Sequence, residues 1–159
     1  MSTDKGGTLV KSTIGRFKEV FWLAGTFLAT FLVTLRVFGS DLSFWNTPID
    51  INIHDTYFVF DGTVFSLVLF VFMLFGLYLL RSVATGFAKA DVTLVFIIST
   101  LLLMVLLGFF LYGVYDIYTF SPHSVTTWGT VFYALLMLWI GLACLLVLSV
   151  IYYRKSKSD

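Results

Sequence analysis

The feature that most constrains this chain is a series of four apolar runs, each near or above the ~20 residues that an α-helix needs to cross a bilayer. The runs cover residues 17–38, 63–80, 92–115 and 127–153, and no charged residue lies deep inside any of them. Backbone N–H and C=O groups surrounded by lipid must find partners within the protein, which favours helices. The sequence therefore predicts an all-α integral membrane protein with four transmembrane helices.

The composition agrees with this fold class. The chain is 59% hydrophobic and only 12% charged, whereas soluble domains carry about 25% charged residues. Cys144 is the single cysteine, so no internal disulfide can form, and a cysteine within an apolar run behaves as a small hydrophobic residue. We expect residues 1–13 to form a mobile cytoplasmic tail and residues 14–159 to form one four-helix transmembrane domain, with an outer loop at residues 39–62.

The basic residues predict the orientation of the chain in the membrane. Nine of the ten lie at the termini or between the second and third apolar runs, and only Arg36 lies on the opposite side. Cytoplasmic segments of membrane proteins are enriched in lysine and arginine. We therefore expect both termini in the cytoplasm and loop 39–62 outside, with a bacterial cytoplasmic (inner) membrane as the location.

Within that outer loop, residues 49–54 alternate strictly between apolar and polar side chains. Ile49, Ile51 and Ile53 alternate with Asp50, Asn52 and His54. Alternation with a period of two predicts a short extended segment with one apolar and one polar face. We interpret the loop as a lid that lies on the membrane part of the protein, with Asp50, Asn52, Thr56 and Tyr57 as its structural polar residues.

The same stretch, IDINIHDTYFV at residues 49–59, resembles the IDI-x-LHDTYYVV segment of subunit I of the haem-copper oxidases. In that family the segment joins the ninth and tenth transmembrane helices, and two histidines that follow it bind haem iron. Gly62 and Val64 stand at the equivalent positions here, and neither side chain can ligate iron. The resemblance therefore implies that this chain keeps the outer loop of the family but lacks its redox chemistry, so we expect it to bind no haem.

His54 and Asp55 are the candidate metal ligands. They match family positions associated with a non-redox magnesium or manganese site, and an imidazole with carboxylates also suits manganese or zinc. In an extended chain the two side chains point to opposite faces, so they can share a metal only if the chain turns there. The alternative, which we favour, is a hydrogen-bonded loop in which His54 or Asp55 caps the start of the second helix.

Three hypotheses for function follow from these features. The first is a small non-catalytic membrane protein, not an enzyme, that serves as an accessory or structural subunit of a larger, for example respiratory, membrane complex. The second is an outer-face module that binds a divalent metal (Mg, Mn or Zn) or a cofactor. The third is a small-solute carrier. This hypothesis is weakened because charged residues inside spans are the usual mark of transport, and none lies deep inside these spans. The lipid bilayer is an expected partner and nucleic acid is not.

Overall fold

The computed structural model describes the backbone of residues 5–38, 48–53, 56–120 and 125–158, and side chains within residues 18–37, 61–117, 119 and 129–156. Four helices lie within these residues: α1 (Lys5–Phe38), α2 (Gly62–Ala84), α3 (Ala90–Phe120) and α4 (Val125–Ser158). Two strands, β1 (Pro48–Ile53) and β2 (Thr56–Asp61), lie between α1 and α2.

Each helix contains a stretch that is long and apolar enough to cross a membrane. These stretches are Lys18–Val37, Gly62–Ala84, Ala90–Ile117 and Gly129–Ser156, close to the four runs expected from the sequence. The prediction of an all-α membrane protein with four transmembrane helices is therefore confirmed.

The helix ends differ from the expected ones in two places. The segment expected to be a mobile tail is helical from Lys5 onward, because an established helix gains one hydrogen bond for each residue added to it. The last loop is also shorter than expected, since α3 continues to Phe120 and α4 begins at Val125. His123, in the intervening residues 121–124, lies outside the described residues.

The expected extended segment is confirmed as β1, but the sequence did not reveal its partner. β1 pairs with β2 in an antiparallel hairpin whose register runs from Pro48 opposite Asp61 to Ile53 opposite Thr56. The segment that follows His54 and Asp55 is therefore the second strand of the hairpin, and α2 begins directly after it at Gly62. Asp61 and Gly62 thus form the strand-to-helix junction.

The contacts of the chain fall into two units, Met1–Leu74 and Phe75–Asp159, and one four-helix domain remains a prediction. In the first unit, the rings of Phe27 in α1 and Phe70 in α2 meet edge to face with their centres 6.0 Å apart. In the second unit, the ring of Phe75 in α2 stacks on that of Phe96 in α3 with their centres 5.7 Å apart.

The pairing of α3 with α4 includes a hydrogen bond near the middle of their spans. The indole N–H of Trp139 in α4 donates to the backbone carbonyl of Met104 in α3 at 3.1 Å. Gly108 lies beside the ring, and a Cβ atom added there would lie at an ordinary contact distance of 4.0 Å from the indole nitrogen. Leu103, Leu107 and Leu142 are buried in the same region.

Candidate functional site

The hairpin register places the residues of the predicted lid on two faces. Residues opposite one another in an antiparallel pair lie on the same face, and successive residues of a strand lie on opposite faces. Asp50 pairs with Val59 and Asn52 with Tyr57, so three of the predicted polar residues share one face. Thr56 pairs with Ile53 and belongs to the other face, although it was expected to act with the polar set.

The other face of the hairpin is more apolar than the sequence pattern of β1 alone suggested. Ile49 pairs with Phe60 and Ile51 with Phe58. With Ile53, five large apolar residues therefore occupy one face of a two-stranded sheet. A two-stranded hairpin is marginally stable alone in water, so a face of this kind requires a covering surface.

His54 and Asp55 lie outside the described residues, but the strands on either side of them are described. Only these two residues separate Ile53 from Thr56, and the chain reverses direction between β1 and β2. A change of direction is the condition under which adjacent residues could share a metal. The expectation that His54 or Asp55 caps α2 also concerns residues outside the described ones; strand β2 separates them from the helix, which begins at Gly62 directly after Asp61.

Gly62 and Val64, at the positions of the haem-binding histidines in the resembled family, lie in the first turn of α2. Gly62 is buried, and its carbonyl accepts a hydrogen bond from the hydroxyl of Ser66 at 2.8 Å. Val64 is exposed. Within the described residues, no three histidine, cysteine or acidic side chains come close enough to hold a metal ion.

A ladder of hydroxyls that the sequence reasoning missed runs along α1. Thr26, Thr30 and Thr34 are buried at a spacing of four residues, and each hydroxyl donates to the carbonyl four residues earlier, at 2.8–2.9 Å. Thr30 and Thr34, with Ser66 of α2, border a cavity of about 330 Å³ that is otherwise lined mainly by phenylalanine rings. The hydroxyls of these three residues donate to carbonyls of their own helices, and with Thr63 as the fourth hydroxyl residue the lining of the cavity is mainly apolar.

A second feature missed from the sequence is the outer face of α4. On the side towards α3, Trp139 is half-buried and Leu142 and Ser149 are buried. On the opposite side, exposed residues recur at alternating intervals of four and three: Thr130, Ala134, Met137, Gly141, Cys144, Leu148 and Ile151. Four of the seven are small, and we call this set the α4 outer face. The spacing of these seven residues is visible in the sequence, but only the structure shows which side of α4 is left uncovered by α3.

No protein-family model, curated protein or solved structure gives a match to this chain. The fold defines its class as an integral membrane protein with four membrane-spanning helices. Its function has to be inferred from the hairpin and from the helix surfaces.

Proposed function

We propose that this protein is a non-catalytic subunit that binds a transmembrane helix of a larger membrane protein complex through the α4 outer face. The observation that carries the proposal is the position of small residues on the side of α4 that faces away from α3. The span of α4 is also the least covered of the four, with 11% of an 18-residue apolar stretch buried, against 28% in α3.

Helices in a bilayer gain little from hiding apolar side chains from one another, because lipid tails are equally apolar. Their association depends on close packing, which small residues permit by letting two backbones approach. Spacing of four and three residues keeps one seam in register with a neighbouring helix. A Cβ atom added at Gly141 would meet nothing within 4 Å, so the surface there is open to a partner.

The hairpin offers a second surface suited to a protein partner. Its apolar face combines Ile49, Ile51 and Ile53 of β1 with Phe58 and Phe60 of β2 by register. Residues 49–59 resemble an outer loop of a respiratory enzyme, which supports a respiratory complex as the partner. The distribution of basic residues supports cytoplasmic termini in a bacterial inner membrane, and in that orientation the hairpin lies on the outer side.

The proposal is tested by purifying the protein in mild detergent and identifying co-purifying membrane proteins by mass spectrometry. We expect one set of membrane proteins at constant stoichiometry with the wild type. Gly141→Leu places a large side chain on the α4 outer face and is expected to abolish co-purification. Gly113→Leu is the matched control, since Gly113 is an exposed glycine of α3 with the same open surroundings.

Two results would contradict the proposal. If Gly141→Leu and Gly113→Leu retain the same partners, the α4 outer face is not the contact surface. If the only partner is a second copy of this chain, the protein is a homo-oligomer rather than a subunit of a larger complex.

The second candidate is a metal-binding outer module, favoured by the reversal of the chain between Ile53 and Thr56. His54 and Asp55 themselves lie outside the described residues, and a reversal of the chain is what they would need to ligate one divalent ion. Metal content and haem absorbance of the purified protein test it directly. Stoichiometric Mg, Mn or Zn would favour this function, and a stoichiometric Soret band in the protein freed of partners would contradict the expectation of no haem.

A further inference from the structure

The loop between α2 and α3, residues 85–89, has an unusual backbone conformation. Gly86 and Phe87 both have positive φ, 57° and 60°. This left-handed region is unfavourable for a bulky residue such as phenylalanine, and residues held there often occur at binding sites. The amide of Phe87 donates to the carbonyl of Ser82 at 2.9 Å, and the amide of Ala88 donates to the carbonyl of Thr85 at 3.1 Å.

The end of α4 braces this loop. Tyr152 stacks on Phe87 with ring centres 5.4 Å apart, and Phe87 also meets the ring of Phe96 edge to face at 6.1 Å. The hydroxyl of Ser156 donates to the carbonyl of Ala88 at 2.9 Å. Two separate contacts, a ring stack and a hydrogen bond, therefore hold the end of α4 against the loop.

Between the loop and α4 lies a cavity of about 420 Å³ that we call the basic pocket. It is lined by Gly86, Phe87, Ala88, Tyr152, Lys155 and Ser156. Lys89 and Arg154 are exposed beside it, and the guanidinium of Arg81 lies 5.1 Å from the centre of the Tyr78 ring. Among the described side chains of residues 81–91 and 152–156, four are basic, and Asp91 is the acidic one.

We infer that the basic pocket binds the headgroup of an anionic glycerophospholipid from the surrounding bilayer. The membrane-length stretches of α2, α3 and α4 have an end here, at Ala84, Ala90 and Ser156, so the pocket lies at headgroup level. Basic pockets between transmembrane helices are suited to anionic headgroups. The phosphate would contact the ammonium of Lys155, and the rings of Phe87 and Tyr152 provide an apolar surface for the glycerol and the first methylene groups.

Charge alone does not distinguish this pocket from a diffuse basic surface. The distinguishing features are its concave shape, the contacts that hold the loop against α4, and the aromatic rings of Phe87 and Tyr152 next to Lys155. A diffuse surface would respond equally to the loss of any nearby lysine. A pocket would depend on Lys155 and on the Ser156 brace. The lipid and a free phosphate share the same anionic chemistry, but only the lipid also uses the aromatic surface.

The test uses the full-length protein in a neutral detergent. Its thermal stability is measured with added dioctanoyl phosphatidylglycerol, with dioctanoyl phosphatidylcholine and with inorganic phosphate. A ligand that binds the native state raises its apparent stability by mass action. We expect phosphatidylglycerol to raise the melting temperature and the other two to have no comparable effect. From the dose dependence, Lys155→Gln should weaken apparent affinity about five-fold, the factor that corresponds to the ~1 kcal/mol typical of one basic residue at an anionic surface.

Two further variants separate a pocket from general attraction. Lys18→Gln removes an exposed lysine outside the pocket and should leave the affinity unchanged. Ser156→Ala removes the bond to Ala88 while keeping the charge, and should weaken the affinity. Equal stabilisation by phosphatidylcholine or by inorganic phosphate would overturn the inference, as would equal losses in Lys155→Gln and Lys18→Gln.

Discussion

Replacing Trp139 by phenylalanine tests the packing of α3 against α4 at its most specific contact. The substitution removes the indole N–H that donates to the Met104 carbonyl at 3.1 Å and keeps an aromatic ring at the position. Met104 lies in the interior of α3, where a carbonyl also accepts the amide four residues later. The carbonyl therefore keeps a partner in the variant, and no penalty for an unsatisfied buried acceptor is added.

The magnitude follows from these contacts. Hydrogen bonds between helices in membranes contribute about 0.6 kcal/mol on average and at most about 1.7 kcal/mol. Trp139 is only half-buried, so the loss of its second ring adds a modest packing term. We expect Trp139→Phe to lower the free energy of unfolding by about 1 kcal/mol in total. Titration with SDS from mixed micelles, followed by far-ultraviolet circular dichroism, measures this difference without relying on tryptophan emission.

Substitutions of Gly108 test the same contact by changing the space that is available to the Trp139 ring. A Cβ atom there would lie at an ordinary contact distance of 4.0 Å from the indole nitrogen, so Gly108→Ala should be close to neutral. Gly108→Ile adds atoms beyond Cβ that push the indole away, and should cost at least as much as Trp139→Phe. The control is Phe109→Leu, because Phe109 is 75% exposed on the same helix. The proposed role of the contact would be refuted if Trp139→Phe were as stable as the wild type. It would also be refuted if Phe109→Leu were destabilised as much as Trp139→Phe.

Four other outcomes are expected. Ile51→Asp should lower thermal stability more than Asn52→Asp, since it places a charge on the apolar face of the hairpin; equal stability of the two variants would disprove the two-faced lid. If the outer loop binds a metal, Mn or Zn should stabilise the wild type but not His54→Ala or Asp55→Ala, and the metal hypothesis fails if no divalent ion stabilises the wild type. Reporters active on one side of the membrane should place both termini in the cytoplasm, and an outer C-terminus would reverse the scheme. Ser82→Ala should be neutral or stabilising by up to about 1 kcal/mol, because the Ser82 hydroxyl is buried without a partner among the described residues; a clear loss of stability would show that the hydroxyl is bonded.

The sequence determined the four spanning helices because the physics of a bilayer admits few alternatives. An apolar run of the required length must satisfy its own backbone groups, so hydropathy alone locates the helices. The alternation of Ile49, Ile51 and Ile53 with polar residues determined the first strand in the same direct way. In both cases the pattern lies within one segment and depends on no distant contact.

The tertiary structure decided which surfaces of these elements meet. Lipid and protein interior are similarly apolar, so the side of α4 that faces α3 has no clear signature in hydropathy. The sequence also did not identify the strand after His54 and Asp55, because this segment forms a strand by pairing with β1 and has no comparable pattern of its own. The contact of Trp139 with Met104 joins residues 35 positions apart, and the brace from Ser156 to Ala88 joins residues 68 apart. Such contacts depend on how helices pack, and sequence spacing within one helix carries no information about its neighbour.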